Sequence, residues 1–210
     1  MNHLTSADYH LGHGKIIEYC NRPFSTSFQM NEAIIARHNE RVKPDDMFYF
    51  LGDFCYKAGL NCDKAEDWLA RLNGNKIMIR GNHDNNNSCK TIIDCMHITF
   101  ANRRINMVHK PTHANPNFEI NLCGHVHDKW RIQTYAQQYQ KLSDIVSGKY
   151  GVEKEYPEFI KFLDEQRNNR NSDSVLLNVG IDVQRYMPIT LDEAIGQVIR
   201  FRKGIAEKGD

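Results

Sequence analysis

Short runs of mostly apolar residues recur along the chain, and polar or glycine residues bound each of them. They are residues 47–51, 77–79, 105–108, 120–123 and 175–179. Runs of this length are typical of strands that are buried on both faces, as in a sheet covered by helices. Apolar residues at helical spacing occupy 27–42, 63–72 and 190–199, and the last of these segments opens with a capping-box pattern. Strands that alternate with helices predict a layered α/β fold.

The composition predicts one globular domain that spans residues 1–210. Hydrophobic residues make up 40% of the chain and the net charge is +1, which argues against a strongly basic nucleic-acid surface but leaves a local patch open. No apolar run approaches the roughly 20 residues that cross a bilayer, so we expect no membrane partner. Six cysteines without a CxxC pair, and no recognisable secretory signal, indicate a reducing cytoplasm.

A polar segment at residues 128–173 interrupts the alternation of strands and helices. It is rich in Gln, Lys, Glu and Asn, and two stretches of it, 134–146 and 157–166, have helix-like spacing. We expect an insert that protrudes from the core as a cap or as a partner-binding surface. A solvated helical hairpin without function is an equally open interpretation.

Side chains that can bind a metal follow the predicted strands. Groups at the carboxyl ends of strands converge in open α/β sheets. Five strand ends here, after residues 4–7, 47–51, 77–79, 105–108 and 120–123, deliver a carboxylate, an amide or an imidazole. Such ligands suit first-row divalent metals. Seven of them are too many for one tetrahedral ion but fit two ions that share a carboxylate. The seven candidates are Asp8, His10, Asp53, Asn82, His109, His125 and His127.

The order of these motifs resembles that of the calcineurin-like metallophosphoesterase superfamily. Asp-x-His, Gly-Asp, Gly-Asn-His-Asp, a histidine at a strand end and Gly-His-x-His follow one another between residues 8 and 127. The resemblance implies a four-layer αββα sandwich with a helical insert, and a dinuclear metal centre. Carried over motif by motif, it assigns one ion to Asp8, His10 and His127. It assigns the other ion to Asn82, His109 and His125, with Asp53 as the bridge.

The resemblance also implies an activity. Such a chain is expected to hydrolyse a small phosphomonoester or phosphodiester, nucleotide-like ones included, by in-line attack of a hydroxide shared by two divalent ions. The ions expected are Mn, Fe, Zn or Ni, with Mn supporting activity best. His83, beside Asn82, would be the general acid. The alternative is a non-catalytic scaffold or binding module on the same fold, similar to the retromer subunit of this superfamily. The oligomeric state stays open.

The chain departs from the protein phosphatase branch of that superfamily after Asp53. Tyr56 stands where an aspartate would orient the general acid, so that detail does not carry over. Lys57 follows it and could meet a phosphate as a point charge. Asp84 is expected either to orient His83 or to cap a following helix. Arg80, inside a strand, is expected to form a structural ion pair.

Further side chains are candidates for contacting the substrate or for binding the metal. His13 either faces the metal site or packs as a loop histidine. Trp130 and Arg131 directly follow the last metal motif, so we expect a stacking face and a phosphate contact from them. His109 is preferred over His113 as the ligand because it ends a predicted strand.

Overall fold

The computed structural model describes residues 1–56, 64–84, 91–140 and 173–205, and every element below lies within them. The first sheet has four strands in the order β3-β2-β1-β9. Its strands are β1 (His3–Ser6), β2 (Met47–Phe50), β3 (Asn75–Met78) and β9 (Ile189–Thr190). The second sheet has five strands in the order β4-β5-β6-β8-β7. Its strands are β4 (Cys95–Phe100), β5 (Arg103–Val108), β6 (Ile120–Cys123), β7 (Ile132–Thr134) and β8 (Val175–Asn178).

The central strands of both sheets are parallel. Strands β1, β2 and β3 pair in parallel in the first sheet, and β5, β6 and β8 do so in the second. The antiparallel strands β4, β7 and β9 lie at the edges. Each sheet therefore gathers the carboxyl ends of its parallel strands at one edge, where the loops with the predicted ligands begin.

Helices cover the sheets. They are α1 (Lys15–Tyr19), α2 (Ser27–Arg41), α3 (Ala65–Ala70), α4 (135–140) and α5 (Leu191–Arg202). The Thr190 hydroxyl accepts a hydrogen bond from Glu193 N at 3.0 Å, and Glu193 Oε2 accepts one from Thr190 N at 2.8 Å, so the predicted capping box is confirmed. The two bonds satisfy amide groups that a helix N-terminus otherwise leaves without partners.

Three apolar clusters hold the layers together. In the first, Phe48 and Phe50 of β2 pack with residues of α1, α2 and α3. In the second, Tyr49, on the opposite face of β2, packs with Leu177 of β8 between the two sheets. In the third, Leu176 points to the outer face of β8 and packs with Tyr135 and Tyr139 of α4. This succession of helices, two sheets and helix is the predicted αββα arrangement, and the fold class is confirmed.

The structure differs from the predicted elements at the sheet edges. Strands β4, β7 and β9 and the short helix α1 were not predicted, and β3 begins two residues before the run at 77–79. Strand β7 lies inside the predicted insert at 128–173, so that segment starts as part of the second sheet. Residues 135–140 are helical, whereas 141–172, with the predicted helix at 157–166, lie outside the described residues. Among the helices that the structure describes, none has the length and apolarity to span a membrane.

Candidate metal centre

The loops after the parallel strands of the two sheets meet at one end of the sandwich. Ala7 and Gly180, which follow strands of different sheets, form a parallel bridge. The His109 Nδ1–H donates a hydrogen bond across the sheets to Leu51 O at 2.8 Å. The amide of His125 donates to Asp8 Oδ2 at 2.9 Å. The strand-end groups that the sequence singled out are therefore brought to one place.

Five of the seven predicted ligands have a left-handed backbone, which is unfavourable for any residue other than glycine. The φ angles are 60° for Asp8, 50° for His10, 59° for Asp53, 72° for His125 and 47° for His127. Each such conformation costs on the order of 1–3 kcal/mol and persists where surrounding contacts enforce it. Strain of this kind concentrates at functional sites, and here it coincides with the predicted ligands.

Two glycines let the loops approach closely enough. A Cβ on Gly52, whose φ is +91°, would lie 2.6 Å from Gly81 Cα and 2.6 Å from His109 Nδ1. A Cβ on Gly81 would lie 2.2 Å from Asp53 Oδ1. All three distances are far below van der Waals contact. Glycine is therefore the residue that allows Asp53, Gly81 and His109 to share this corner.

The side chains form two donor groups. Asp8, His10 and His127 make one, and Asp53, His109 and His125 make the other, with the donor atoms of each group within 4.8 Å of one another. Asn82 belongs beside the second group, because its Oδ1 lies 3.0 Å from His109 Nε2. Ligands about 2.0–2.2 Å from a shared ion lie roughly 3 Å apart. This partition is the one that the family resemblance assigns to two ions.

Asp53 lies between the two groups. Its Oδ2 atom is 3.6 Å from His10 Nε2 and 3.3 Å from His109 Nε2. A carboxylate that is shared between two ions must reach ligands of both, and Asp53 does so with a single oxygen. Its other oxygen, Oδ1, accepts a hydrogen bond from the amide of His83 at 2.8 Å.

The residues present fit a divalent cation. His10 is buried, and among the described residues neither of its ring nitrogens has a hydrogen-bond partner. An unsatisfied buried polar group costs about 1–3 kcal/mol. A cation held with Asp8 and His127 would satisfy His10, and these nitrogen and oxygen donors are the types that first-row metals prefer.

The ionisation of the site reflects burial and mutual charge. Burial raises the pKa of Asp8 to about 6. Burial lowers the pKa of His125 to about 4, and the neighbouring charges of His109 and Lys110 act in the same direction. Burial disfavours the charged form of Asp53, yet hydrogen bonding to His109 holds its pKa below the ordinary value. A cation would favour the ionised carboxylates and the neutral imidazoles, so metal binding should release protons from the site.

An aspartate that the sequence analysis missed orients one of the predicted ligands. The His127 Nδ1–H donates to Asp182 Oδ2 at 2.8 Å, which leaves Nε2 for a metal. Arg22 holds the same carboxylate through Nε at 2.8 Å and Nη2 at 2.9 Å. Arg22 Nη2 also donates to the carbonyl oxygen of Asp8 at 2.8 Å. The buried pair of Arg22 and Asp182 therefore fixes two ligands of one donor group.

Replacing Asp182 with asparagine should weaken metal binding about 10- to 100-fold, because a neutral amide holds the His127 ring less firmly. Mn²⁺ affinity measured by calorimetry on folded protein tests this. Asp46→Asn is the matched control, because Asp46 is a buried aspartate at the opposite end of β2 that accepts amide hydrogen bonds from Asn2 and Lys43. Equal Mn²⁺ affinities for the Asp182 variant and the control would show that Asp182 does not support metal binding.

Asp84 has a role that neither sequence hypothesis described. Its Oδ2 accepts hydrogen bonds from the amides of Asp53 at 2.9 Å and Gly81 at 2.7 Å. Its Oδ1 accepts one from the amide of Phe54 at 2.9 Å. The buried carboxylate therefore joins the loop after β2 to the loop after β3, and it positions the backbone of Asp53.

Asp84→Asn should lower the free energy of unfolding by about 1.5–3 kcal/mol, since the amide replaces a charged acceptor with a donor beside a buried N–H. Urea denaturation followed by circular dichroism measures the change. Glu32→Gln, which breaks the exposed ion pair with Arg71, should cost at most about 1 kcal/mol. A loss for Asp84→Asn no larger than that of this control would contradict the role given to Asp84.

His83 lies at the open side of the donor groups. Its Nε2 is 4.0 Å from Asp53 Oδ2, and 45% of its side chain is exposed. Its ring centroid is 5.3 Å from that of His10. The imidazole can therefore meet a molecule at the site from solvent, whereas the ligand candidates His10 and His109 are buried beneath it.

The residues that were predicted to contact substrate have different neighbours in the structure. His13 stacks on Tyr56 with ring centroids 4.2 Å apart, and its own centroid is 5.6 Å from that of His10. The ring of Trp130 packs with the Tyr135 cluster on the outer face of the second sheet. Arg131 Nε donates to Val183 O at 3.1 Å. Lys57 lies outside the described residues.

A buried asparagine holds the loop that follows His127. The Nδ2 group of Asn178 donates to His127 O at 2.8 Å and to Trp130 O at 2.9 Å. Its Oδ1 accepts from the amide of Gly180 at 2.8 Å. The first residues of the predicted insert are thus anchored to the end of β8.

Two packed sheets that carry two clusters of metal-ligand side chains at one shared edge are the features of a metallophosphoesterase. Residues 7–179 match the family described as Metallophos, calcineurin-like phosphoesterase. The chain belongs to that family. It is 29% identical over 199 residues to the uncharacterized protein MJ1445 of Methanocaldococcus jannaschii, a match that covers 92% of each chain.

A solved structure has the same fold over nearly the whole chain. It is the crystal structure of AQ665 from Aquifex aeolicus, a protein of unknown function. The TM-score is 0.58 at 20% sequence identity, and the match covers 93% of this chain and 98% of that chain.

Proposed function

We propose that this protein is a dinuclear metal-dependent phosphoesterase that hydrolyses a small phosphomonoester or phosphodiester. The observation that carries the proposal is the arrangement around Asp53, where one carboxylate oxygen lies within 3.6 Å of ring nitrogens from both donor groups. A structural site for one ion needs no such shared oxygen. Family membership supports hydrolysis as the reaction class.

Seven residues of the chain bind the two cations. Asp8, His10 and His127 hold one divalent cation, and Asn82, His109 and His125 hold the other, with Asp53 shared. Bound divalent cations supply Lewis acidity, which lowers the pKa of water toward about 7 and offsets the charge of a phosphate ester. We propose manganese as the ion that supports activity best, since it suits carboxylate and carbonyl oxygens such as those of Asp8, Asp53 and Asn82.

His83 protonates the leaving group. A departing alkoxide needs a proton, and His83 is an exposed imidazole next to the shared carboxylate. Its backbone is fixed by the hydrogen bond from its amide to Asp53 Oδ1. General acid catalysis of this kind contributes typically ~10²- to 10⁴-fold. The thiol of Cys55 takes no part, because it is buried and burial raises its pKa to about 12.

Hydrolysis of two chromogenic esters with and without Mn²⁺ tests the proposal. We expect manganese-dependent release of p-nitrophenol from bis-p-nitrophenyl phosphate, p-nitrophenyl phosphate or both, and loss of the activity after chelation. The ratio of the two rates assigns the protein as a diesterase or a monoesterase. Bound metal without activity on either ester contradicts the proposal and favours a scaffold.

A further inference from the structure

A cavity opens directly beside the second donor group. Its volume is about 510 Å³, and Asn82 and His109 form part of its wall. Pockets that bind small ligands have volumes of roughly 300–1,000 Å³. Because the cavity shares two residues with the candidate metal centre, a substituent on a phosphate at that centre would extend into it.

The cavity carries an ammonium group that has no partner among the described residues. Lys110 is half-buried in its wall, and within the described ranges its ammonium makes no hydrogen bond or ion pair. Lys110 directly follows the ligand candidate His109, and both residues line the cavity. No described carboxylate pairs with the Lys110 ammonium, so its charge is available to a bound anion.

The guanidinium of Arg80 also lines the cavity and is paired with Asp94. Asp94 accepts hydrogen bonds from Arg80 Nε at 2.8 Å and from Arg80 Nη2 at 2.6 Å. The Nη1 group has no hydrogen bond among the described residues, so its N–H groups are available. His113, on the turn after Lys110, completes the polar lining. Asp94 balances the charge of Arg80, and Lys110 leaves the cavity positive.

We propose that this cavity binds a second phosphate group of the substrate, so that the preferred substrate is a phosphoester with another phosphate beyond the scissile one. The inference rests on the proposed function, whose substrate class it narrows. A tetrahedral phosphate has several acceptor oxygens, and the ammonium of Lys110 and the Nη1 group of Arg80 can both donate to them. Charge-assisted hydrogen bonds of this kind are among the stronger polar contacts.

Two chromogenic nucleotides that differ by one phosphate provide the kinetic test. They are thymidine 5′-(p-nitrophenyl phosphate) and the same ester with a 3′-phosphate. We expect wild-type protein with Mn²⁺ to have the higher kcat/KM on the bisphosphorylated ester. Lys110→Gln should reduce that preference about tenfold or more, because it removes a charged donor.

Lys43→Gln is the matched control. Lys43 is a lysine before the amino end of β2, away from the metal edge, and its ammonium donates to Glu40 O at 2.6 Å. This variant should keep the wild-type preference. A wild-type enzyme without preference for the 3′-phosphate, or a Lys110→Gln variant that keeps the full preference, would overturn the proposed subsite.

A binding measurement separates this inference from the catalytic proposal. Calorimetry of manganese-loaded protein with thymidine 3′,5′-bisphosphate and with thymidine 5′-monophosphate should give tighter binding of the bisphosphate. Lys110→Gln should remove that difference. Tighter, Lys110-dependent binding in a protein that hydrolyses neither bis-p-nitrophenyl phosphate nor p-nitrophenyl phosphate supports the subsite and contradicts the catalytic proposal. Hydrolysis of both esters without a difference in binding contradicts the subsite alone.

Discussion

Asp53→Asn should abolish phosphoesterase activity, with a loss of at least about 10³-fold, and should release at least one metal ion per chain. Two cations in one small site need a negative charge between them, because their mutual repulsion is otherwise unopposed. An asparagine keeps the size of the side chain but offers a neutral oxygen and an amide. Elemental analysis of the purified variant and its turnover of bis-p-nitrophenyl phosphate measure the two effects.

Asp46→Asn is the matched control for this prediction. Asp46 precedes the strand that Asp53 follows, and both carboxylates are buried and accept backbone hydrogen bonds. The control should keep two metal ions and wild-type activity, although its stability falls. Two metal ions per chain in Asp53→Asn would contradict the bridging role.

His83→Asn should retain both metal ions while turnover slows by about 10²- to 10⁴-fold for substrates with a poor leaving group. An alkoxide leaving group needs the proton that His83 supplies, whereas p-nitrophenolate departs with little help. The comparison of thymidylyl-3′,5′-thymidine with bis-p-nitrophenyl phosphate separates these cases. The exposed position of His83, away from the buried ligands, is the reason that metal content should not change.

His97→Asn controls for the loss of a histidine, because His97 is exposed on edge strand β4 and its ring is tilted against that of Phe118. It should leave both rates unchanged. Equal losses on the two substrates in His83→Asn would remove His83 from the role of general acid. A loss of metal in the His83→Asn variant would instead show that His83 is a metal ligand.

The layered fold could be predicted because several of the parallel strands, such as β2, β6 and β8, are short, mostly apolar runs. Strands buried on both faces have such runs. The same reasoning failed at the sheet edges. Strand β4 alternates between exposed and half-buried residues, which a search for continuous runs overlooks. Strand β7 has three residues and is recognisable only by its pairing with β8.

The candidate ligands could be predicted because each one follows a strand within three or four residues. The groups that support them could not be found in this way. Asp182 and Arg22 are separated by 160 positions, and a buried arginine has no local sequence signature. Asp182 did carry one usable signal, because it follows β8 as the other acidic candidates follow their strands. Trp130 was expected at the substrate and instead packs with Tyr135 and Tyr139, since adjacency to His127 in sequence does not fix where a ring points.

Anomalous diffraction from crystals grown with Mn²⁺ shows directly whether the centre holds two ions. We expect two manganese peaks about 3.5–4 Å apart. One peak should contact Asp8, His10 and His127, the other should contact Asn82, His109 and His125, and Asp53 should contact both. A single peak, or two peaks that do not share Asp53, would contradict a dinuclear centre at this edge of the sheets.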